Sequence, residues 1–207
     1  MIKNFKKFYE ADEESEFKVY VDLDSVLVDW EEGFNQLSPN KSMGDWEDED
    51  NEEGGWKLIH DAGEEWWANL PWMKDGKKLW EFVKQFDPTI LTSPGTQEIE
   101  PIIKAKNVWI DRELGDDVPR IIDREKQKYA KKNSILVDDQ KGNIKRWEDA
   151  GGIGVRHTKT EDTIEQLTEI MGLREDLMNP VKNFNKKKFF DTKKADKKSK
   201  VTFDLGF

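Results

Sequence analysis

The sequence predicts an α/β fold built on a parallel sheet. Short apolar runs of strand length alternate along the chain with segments of helical spacing, and several of the runs end in polar or acidic residues. Strands covered on both faces read as near-continuous apolar runs, and strand–helix alternation gives parallel pairing with right-handed crossovers.

The elements follow in order. VYVD (19–22) is the first strand, set in the stretch FKVYVDLDSVLVDW (17–30). GKKLWEFVKQF (76–86) has helical spacing and leads into PTILT (88–92), a second strand. TQEIEPIIKAKNVWIDREL (96–114) is a further helix, followed by strands at PRIID (119–123), SILVD (134–138) and GIGVRH (152–157). TEDTIEQLTEIM (160–171) closes the pattern as a helix, and no internal repeat is visible.

Composition narrows the function classes. Of 207 residues 38% are charged, but nine Trp and eleven Phe supply large apolar surfaces for a concentrated core. A formal net charge of −10 argues against nucleic acid as a partner, because phosphate backbones reward a basic face. There is no cysteine, hence neither a disulfide framework nor a thiolate metal site. The N-terminal MIKNFKKFYEADEESEF lacks an apolar signal region and no apolar run has membrane-spanning length, so the expectation is a soluble cytoplasmic protein with no membrane partner.

Residues 1–15 and 176–207 read as poorly ordered tails, the second lysine-rich, flanking a core at 16–175. The closing VTFDLGF is a candidate docked strand or partner-binding peptide, so the C-terminal tail is the place to expect a protein partner. A homodimer is a further expectation.

In open parallel sheets ligands bind beyond the carboxyl ends of the strands. Here those ends carry Asp22, then Thr92 with Ser93, then Asp138 with Asp139. Asp24 follows Asp22 by two residues, directly after an apolar run. Each feature alone fits an ordinary turn, but their shared position collects one polar constellation from distant segments. Buried carboxylates are costly without a positive partner, so the cluster asks for a cation, a proton or both.

The ordered set of Asp22-Leu-Asp24-Ser-Val-Leu after one strand, Thr92-Ser93 after a second, a lysine, and Asp138-Asp139 after another resembles the four motifs of the haloacid dehalogenase superfamily. Within it the chain looks like the 5'(3')-deoxyribonucleotidase branch, which carries Val at the position of Val26; the resemblance covers roughly 17–158. It implies a Rossmann-like core with a small, mostly helical cap inserted after the first strand, at about 30–75. It further implies a magnesium-dependent phosphomonoesterase acting on (deoxy)ribonucleoside monophosphates through an aspartyl-phosphate. Asp22 would be the nucleophile and Asp24 the proton donor and later base. Mg2+ would be held by the Asp22 side chain, the Asp24 carbonyl and the Asp138-Asp139 pair, with Asp139 in direct contact and Asp138 bridging through water or orienting. Thr92 and Ser93 would bind phosphoryl oxygens. The motif lysine would be Lys128, about ten residues before Asp138, with Lys126 as the alternative. Ser25 departs from the family pattern, where many members have Gly.

The inserted segment is unusually aromatic, with EEWWANLPWMKDGKKLW resembling the nucleotidase region that encloses base and sugar. Most of its tryptophans are expected to form the insertion's own small core. Trp30, Trp66 and Trp67 are the candidates for a nucleobase pocket, since every base offers a π-face for stacking. Two alternatives stay open: the same chemistry on a sugar phosphate or a nucleic-acid 3'-phosphate, and a non-catalytic acidic interaction protein.

Overall fold

A computed structural model describes residues 17–48, 52–95 and 99–172. The tails expected at 1–15 and 176–207, including VTFDLGF, lie outside the described residues, as does part of the acidic run. The chain divides into two units, Met1–Ile164 and Glu165–Phe207, and the candidate site belongs to the first. Of the second unit the described part is Glu165–Gly172, most of it helical.

Among the described residues, the strands are β1 (Lys18–Val21), β2 (Thr89–Thr92), β3 (Arg120–Ile122), β4 (Ser134–Asp138) and β5 (Ile153–Arg156). They form one sheet in the order β3-β2-β1-β4-β5, with every pair parallel. All four residues of β2 and all five of β4 are buried, which is why these segments read as unbroken apolar runs. The order reverses direction at β1, so a crevice opens beyond the carboxyl ends of β1 and β4. Tyr20 pairs with Leu136 and Val21 with Val137, a register that brings Asp22 and Asp138 to the same end of the sheet.

The helices are α1 (Trp30–Leu37), α2 (Met43–Asp48), α3 (Glu52–Ala68), α4 (Gly76–Val83), α5 (Ile99–Glu113), α6 (Lys141–Asp149) and α7 (Thr160–Ile170). No helix among the described residues is long and apolar enough to cross a membrane. On one part of the sheet Trp147 of α6 packs with Leu91, Leu136 and Ile144, while Tyr20 meets the Trp147 ring edge-on at 5.3 Å.

Helices α1 to α3 occupy the stretch between β1 and α4, as the expected helical insertion requires. Asp29 starts α1 by accepting a bond from Glu32 N at 2.9 Å, and Glu31 and Glu32 in the first turn suit the positive helix end. Gly63 breaks α3 with φ 67°, a backbone setting that side-chain-bearing residues resist. The chain then returns beside its point of departure: Asp29 N donates to Pro71 O and Met73 N to Leu27 O, both at 2.8 Å. α1 comes close to this return at Gly33, where an added Cβ would lie 2.2 Å from Leu70 Cδ2 and the leucine side chain would have to shift. Entry and exit of the insertion are thereby tied to the loop that follows Asp22.

Candidate active site

Asp22 ends its strand within the sheet's hydrogen-bonding pattern, its N–H donating to Val137 O at 2.9 Å. The side chain is buried, and Oδ1 accepts from Leu23 N and from Lys126 Nζ, each at 2.8 Å. Asp138, at the end of the neighbouring β4, is fully buried. Ligand oxygens of Asp22, Asp138 and Asp139 all lie within 4.8 Å of one another. The sequence-predicted acidic cluster is therefore assembled by the pairing of β1 with β4.

The two neighbouring aspartates differ in what surrounds them. Asp138 is held on both oxygens: Lys126 Nζ at 2.6 Å and Asn143 Nδ2 at 3.0 Å on Oδ2, Gln140 N at 2.9 Å and Asn143 Nδ2 at 3.0 Å on Oδ1. Burial, followed by the Asp22 charge, raises its proton affinity against the opposing pull of Lys126. Asp139 is only partly buried, yet burial first, then Asp22 and Asp138, push its pKa up to about 7. A bound cation would offset both the burial and the like charges.

Lys126, rather than the Lys128 expected from spacing, is the lysine that reaches Asp22 and Asp138. Lys126 is 3% exposed, and although burial works against its charge, Asp22 and Asp138 outweigh that and raise its pKa. Lys128 is 52% exposed and pairs with Glu125 at 2.5 Å, with Asp123 at 3.7 Å. The reason is local. Residues Lys126–Tyr129 form a 3-10 turn, in which positions three apart eclipse one another. Tyr129 packs on the Leu91/Leu136/Trp147 core, so Lys126 shares its inward side and Lys128 faces out.

On the other flank of β1, Thr92 is fully buried at the end of β2. Its hydroxyl accepts from Lys106 Nζ at 3.1 Å, and Lys106 also pairs with Asp24. Ser93 is turned to a local task, its hydroxyl accepting from Gly95 N at 3.2 Å. Asp24 sits in the loop after β1, where Ser25 holds the left-handed conformation with φ 58° and donates from its backbone to Val28 O at 2.8 Å. Asp24 Oδ1 is buried without a hydrogen-bond partner.

Trp30, Trp66 and Trp67 come together in one aromatic group. Trp30 stacks on Phe34 at 5.8 Å and 8°, and meets Trp56 at 6.0 Å and Trp66 at 6.4 Å. Trp66 donates from its indole to Gly33 O at 3.0 Å and packs edge-on against Trp67 at 4.8 Å. The Trp67 ring lies 6.0 Å from Lys106 Nζ, which links the group to Asp24 and Thr92. Trp72 goes elsewhere, packing with Trp109 at 4.9 Å and donating to Glu113 at 2.7 Å.

Two residues of this constellation lie outside the motif reading. Lys106 stands at a position of α5 shared with Ile102, Ala105, Trp109 and Ile110, all buried, so a lysine on the apolar face of a helix is its signal. Asn143 carries no comparable mark in the sequence.

No protein-family model matches the chain, and no curated protein matches it. Among solved structures, the chain is similar to an uncharacterized protein from Corynebacterium glutamicum ATCC 13032 Kitasato, with a TM-score of 0.38 and 15% identity over 77% of this chain and 97% of that one. It is also similar to a HAD hydrolase, family IA, variant 3, from Entamoeba histolytica HM-1:IMSS, with a TM-score of 0.38 and 13% identity over 74% of this chain and 88% of that one.

Proposed function

We propose that the protein is a magnesium-dependent phosphomonoesterase of the haloacid dehalogenase type, acting on (deoxy)ribonucleoside monophosphates with Asp22 as nucleophile. The observation that carries this reading is the convergence of three carboxylates within 4.8 Å around one buried lysine, beside Thr92 and Asp24. Such crowding costs several kcal/mol per buried ion, roughly, unless compensated, and a bound cation would compensate it.

The donor set fits a magnesium ion: hard oxygen ligands, an excess of negative charge over Lys126, and an Asp139 carboxyl pushed up to about 7 by burial and its neighbours. Asp22 and Asp139 would hold the ion through their side chains and Asp24 through its carbonyl. Asp138, already engaged on both oxygens, orients Lys126 and the loop of Gln140. When bound, the ion neutralises charge between the phosphate and Asp22 and polarises the phosphoryl group.

The chain's own residues then divide the work. Asp22 attacks phosphorus, forming an aspartyl-phosphate as the ester bond breaks, and Asp24 gives the departing oxygen its proton. In the second half Asp24 takes a proton from water, whose oxygen bonds to phosphorus as the bond to Asp22 breaks, releasing phosphate. Thr92 bonds a phosphoryl oxygen, and Lys126 offsets charge beside Asp22. The nucleoside part of the reading rests on the resemblance of the inserted aromatic segment, of which Trp67 is the member that lies beside Lys106.

A phosphate-release screen over nucleoside monophosphates, sugar phosphates and 3'-phosphorylated oligonucleotides with magnesium tests this. The expected result is release from nucleoside monophosphates and near-total loss in Asp22→Asn. Release from no substrate, or equal rates in wild type and variant, removes the assignment; preference for another substrate removes its nucleotide part.

A further inference from the structure

The feature that the motif chemistry does not use is Lys106. It is 3% exposed, on the apolar face of α5 among Ile102, Ala105, Trp109 and Ile110. An ammonium group so placed is retained only with partners that repay its lost hydration. It has two, from separate segments: Asp24 Oδ2 in the loop after β1 and Thr92 Oγ1 at the end of β2, the latter at 3.1 Å.

The consequence falls on the oxygens of Asp24, which become inequivalent. Oδ2 is fixed by Lys106, whereas Oδ1 is buried and accepts no hydrogen bond. Oδ1 is therefore the oxygen of Asp24 that no protein donor holds. A group that must pass a proton to a departing oxygen and recover it from water needs one oxygen clear of protein donors and one held so that the carboxyl plane cannot rotate.

We propose that Lys106 is the positioning residue of the proton-transfer step: it clamps Asp24 Oδ2 and the Thr92 hydroxyl together, so that Asp24 Oδ1 faces the leaving-group oxygen. This rests on the phosphomonoesterase reading above. Trp67, 6.0 Å from the ammonium, covers the clamp on the side of the insertion. In the first half-reaction the Asp22–phosphorus bond forms, the phosphorus–ester bond breaks, and the proton on Asp24 Oδ1 moves to the ester oxygen; in the second, water returns a proton to Oδ1. Lys106 gives up no proton in either half.

Leaving-group dependence separates this role from a structural or phosphate-binding one. Wild type, Lys106→Met, Lys106→Gln and Asp22→Asn are compared with magnesium on thymidine 5'-monophosphate, whose alcohol must be protonated to leave, and on p-nitrophenyl phosphate, whose phenolate leaves unaided. General acid assistance is worth about 10² to 10⁴ in rate. The Met variant should therefore lose roughly 100-fold or more in kcat/KM on the nucleotide and less than about 10-fold on the aryl ester, because kcat/KM covers only the steps up to departure of the leaving group and not the hydrolysis of the shared aspartyl-phosphate. If the Met variant does not fold, by thermal melting, the Gln variant is judged by the same ratio. Equal losses in kcat/KM on both substrates, or no loss on the nucleotide, overturn the role of Lys106. If wild type releases phosphate from neither substrate, or Asp22→Asn matches it, the phosphomonoesterase reading falls first and the proposal with it.

Discussion

Lys126 Nζ lies 2.8 Å from Asp22 Oδ1, in a pair whose two side chains are 3% and 7% exposed. The same ammonium reaches Asp138 at 2.6 Å, so one lysine balances carboxylates delivered by two adjacent strands. Removing one partner of a buried pair leaves uncompensated charge, which costs about 3 to 5 kcal/mol. Lys126→Met should lower unfolding free energy in urea by roughly that amount and abolish phosphate release. Lys128→Met, at an exposed position, should change stability by less than about 0.5 kcal/mol and leave activity intact. The opposite ranking would remove Lys126 from the site.

Asn143 donates to both oxygens of Asp138 at 3.0 Å and so fixes the plane of that carboxylate. Asn143→Ala leaves two acceptor sites without this donor, at a cost of about 1 to 3 kcal/mol. Supporting contacts of this kind typically change metal affinity about 10- to 100-fold. The expected outcome is a higher magnesium concentration for half-maximal activity, with a smaller change at saturating magnesium. An unchanged magnesium titration would make Asn143 a helix residue and no more.

The strands are legible in the sequence because burial on both faces forces unbroken apolar runs such as TILT and SILVD. Helix α6 is not, since KGNIKRWED buries only Ile144 and Trp147 and leaves its charged residues outside. The acidic half of the site follows from strand ends, where sequence position dictates place. The basic half does not: Lys126 and Lys128 lie two residues apart in a helix of about three residues per turn, and which one points inward is decided by Tyr129 packing on the core. Lys106 was within reach of a stricter reading of α5, because a lysine three residues before Trp109 and four after Ile102 occupies a core position.

Asp139 predicts how pH acts on the metal-free protein. Its pKa is raised from 3.8 to about 7, by burial first and then by Asp22 and Asp138. Between those values the native state holds a proton that the unfolded chain has released. Metal-free stability should therefore fall as pH rises from about 4 to about 7, then level off. Asp138, raised by burial and Asp22, adds to the slope in the same direction. A divalent cation favours the ionised carboxyl, so magnesium should raise the melting temperature more above this window than within it. Melting curves across pH, with and without magnesium, check both statements. Asp139→Asn should flatten the metal-free slope and remove most of the magnesium effect.

Ser25 predicts what the loop after β1 tolerates. Its φ of 58° is a left-handed setting that costs a side-chain-bearing residue about 1 to 2 kcal/mol. The loop cannot relax away from it, because Ser25 N is bound to Val28 O at 2.8 Å and Val28 bridges to both Asp24 and Trp72. Glycine removes the strain but loses about 0.5 to 1 kcal/mol to its freer unfolded chain, so Ser25→Gly should gain at most about 1.5 kcal/mol and keep its activity. A β-branched residue fits this region worst. Ser25→Val should either melt lower or move Asp24 off Lys106, and both are read together by urea unfolding and by kcat on a nucleoside monophosphate. A Val variant equal to wild type in stability and rate would mean that the left-handed turn does not set the position of Asp24.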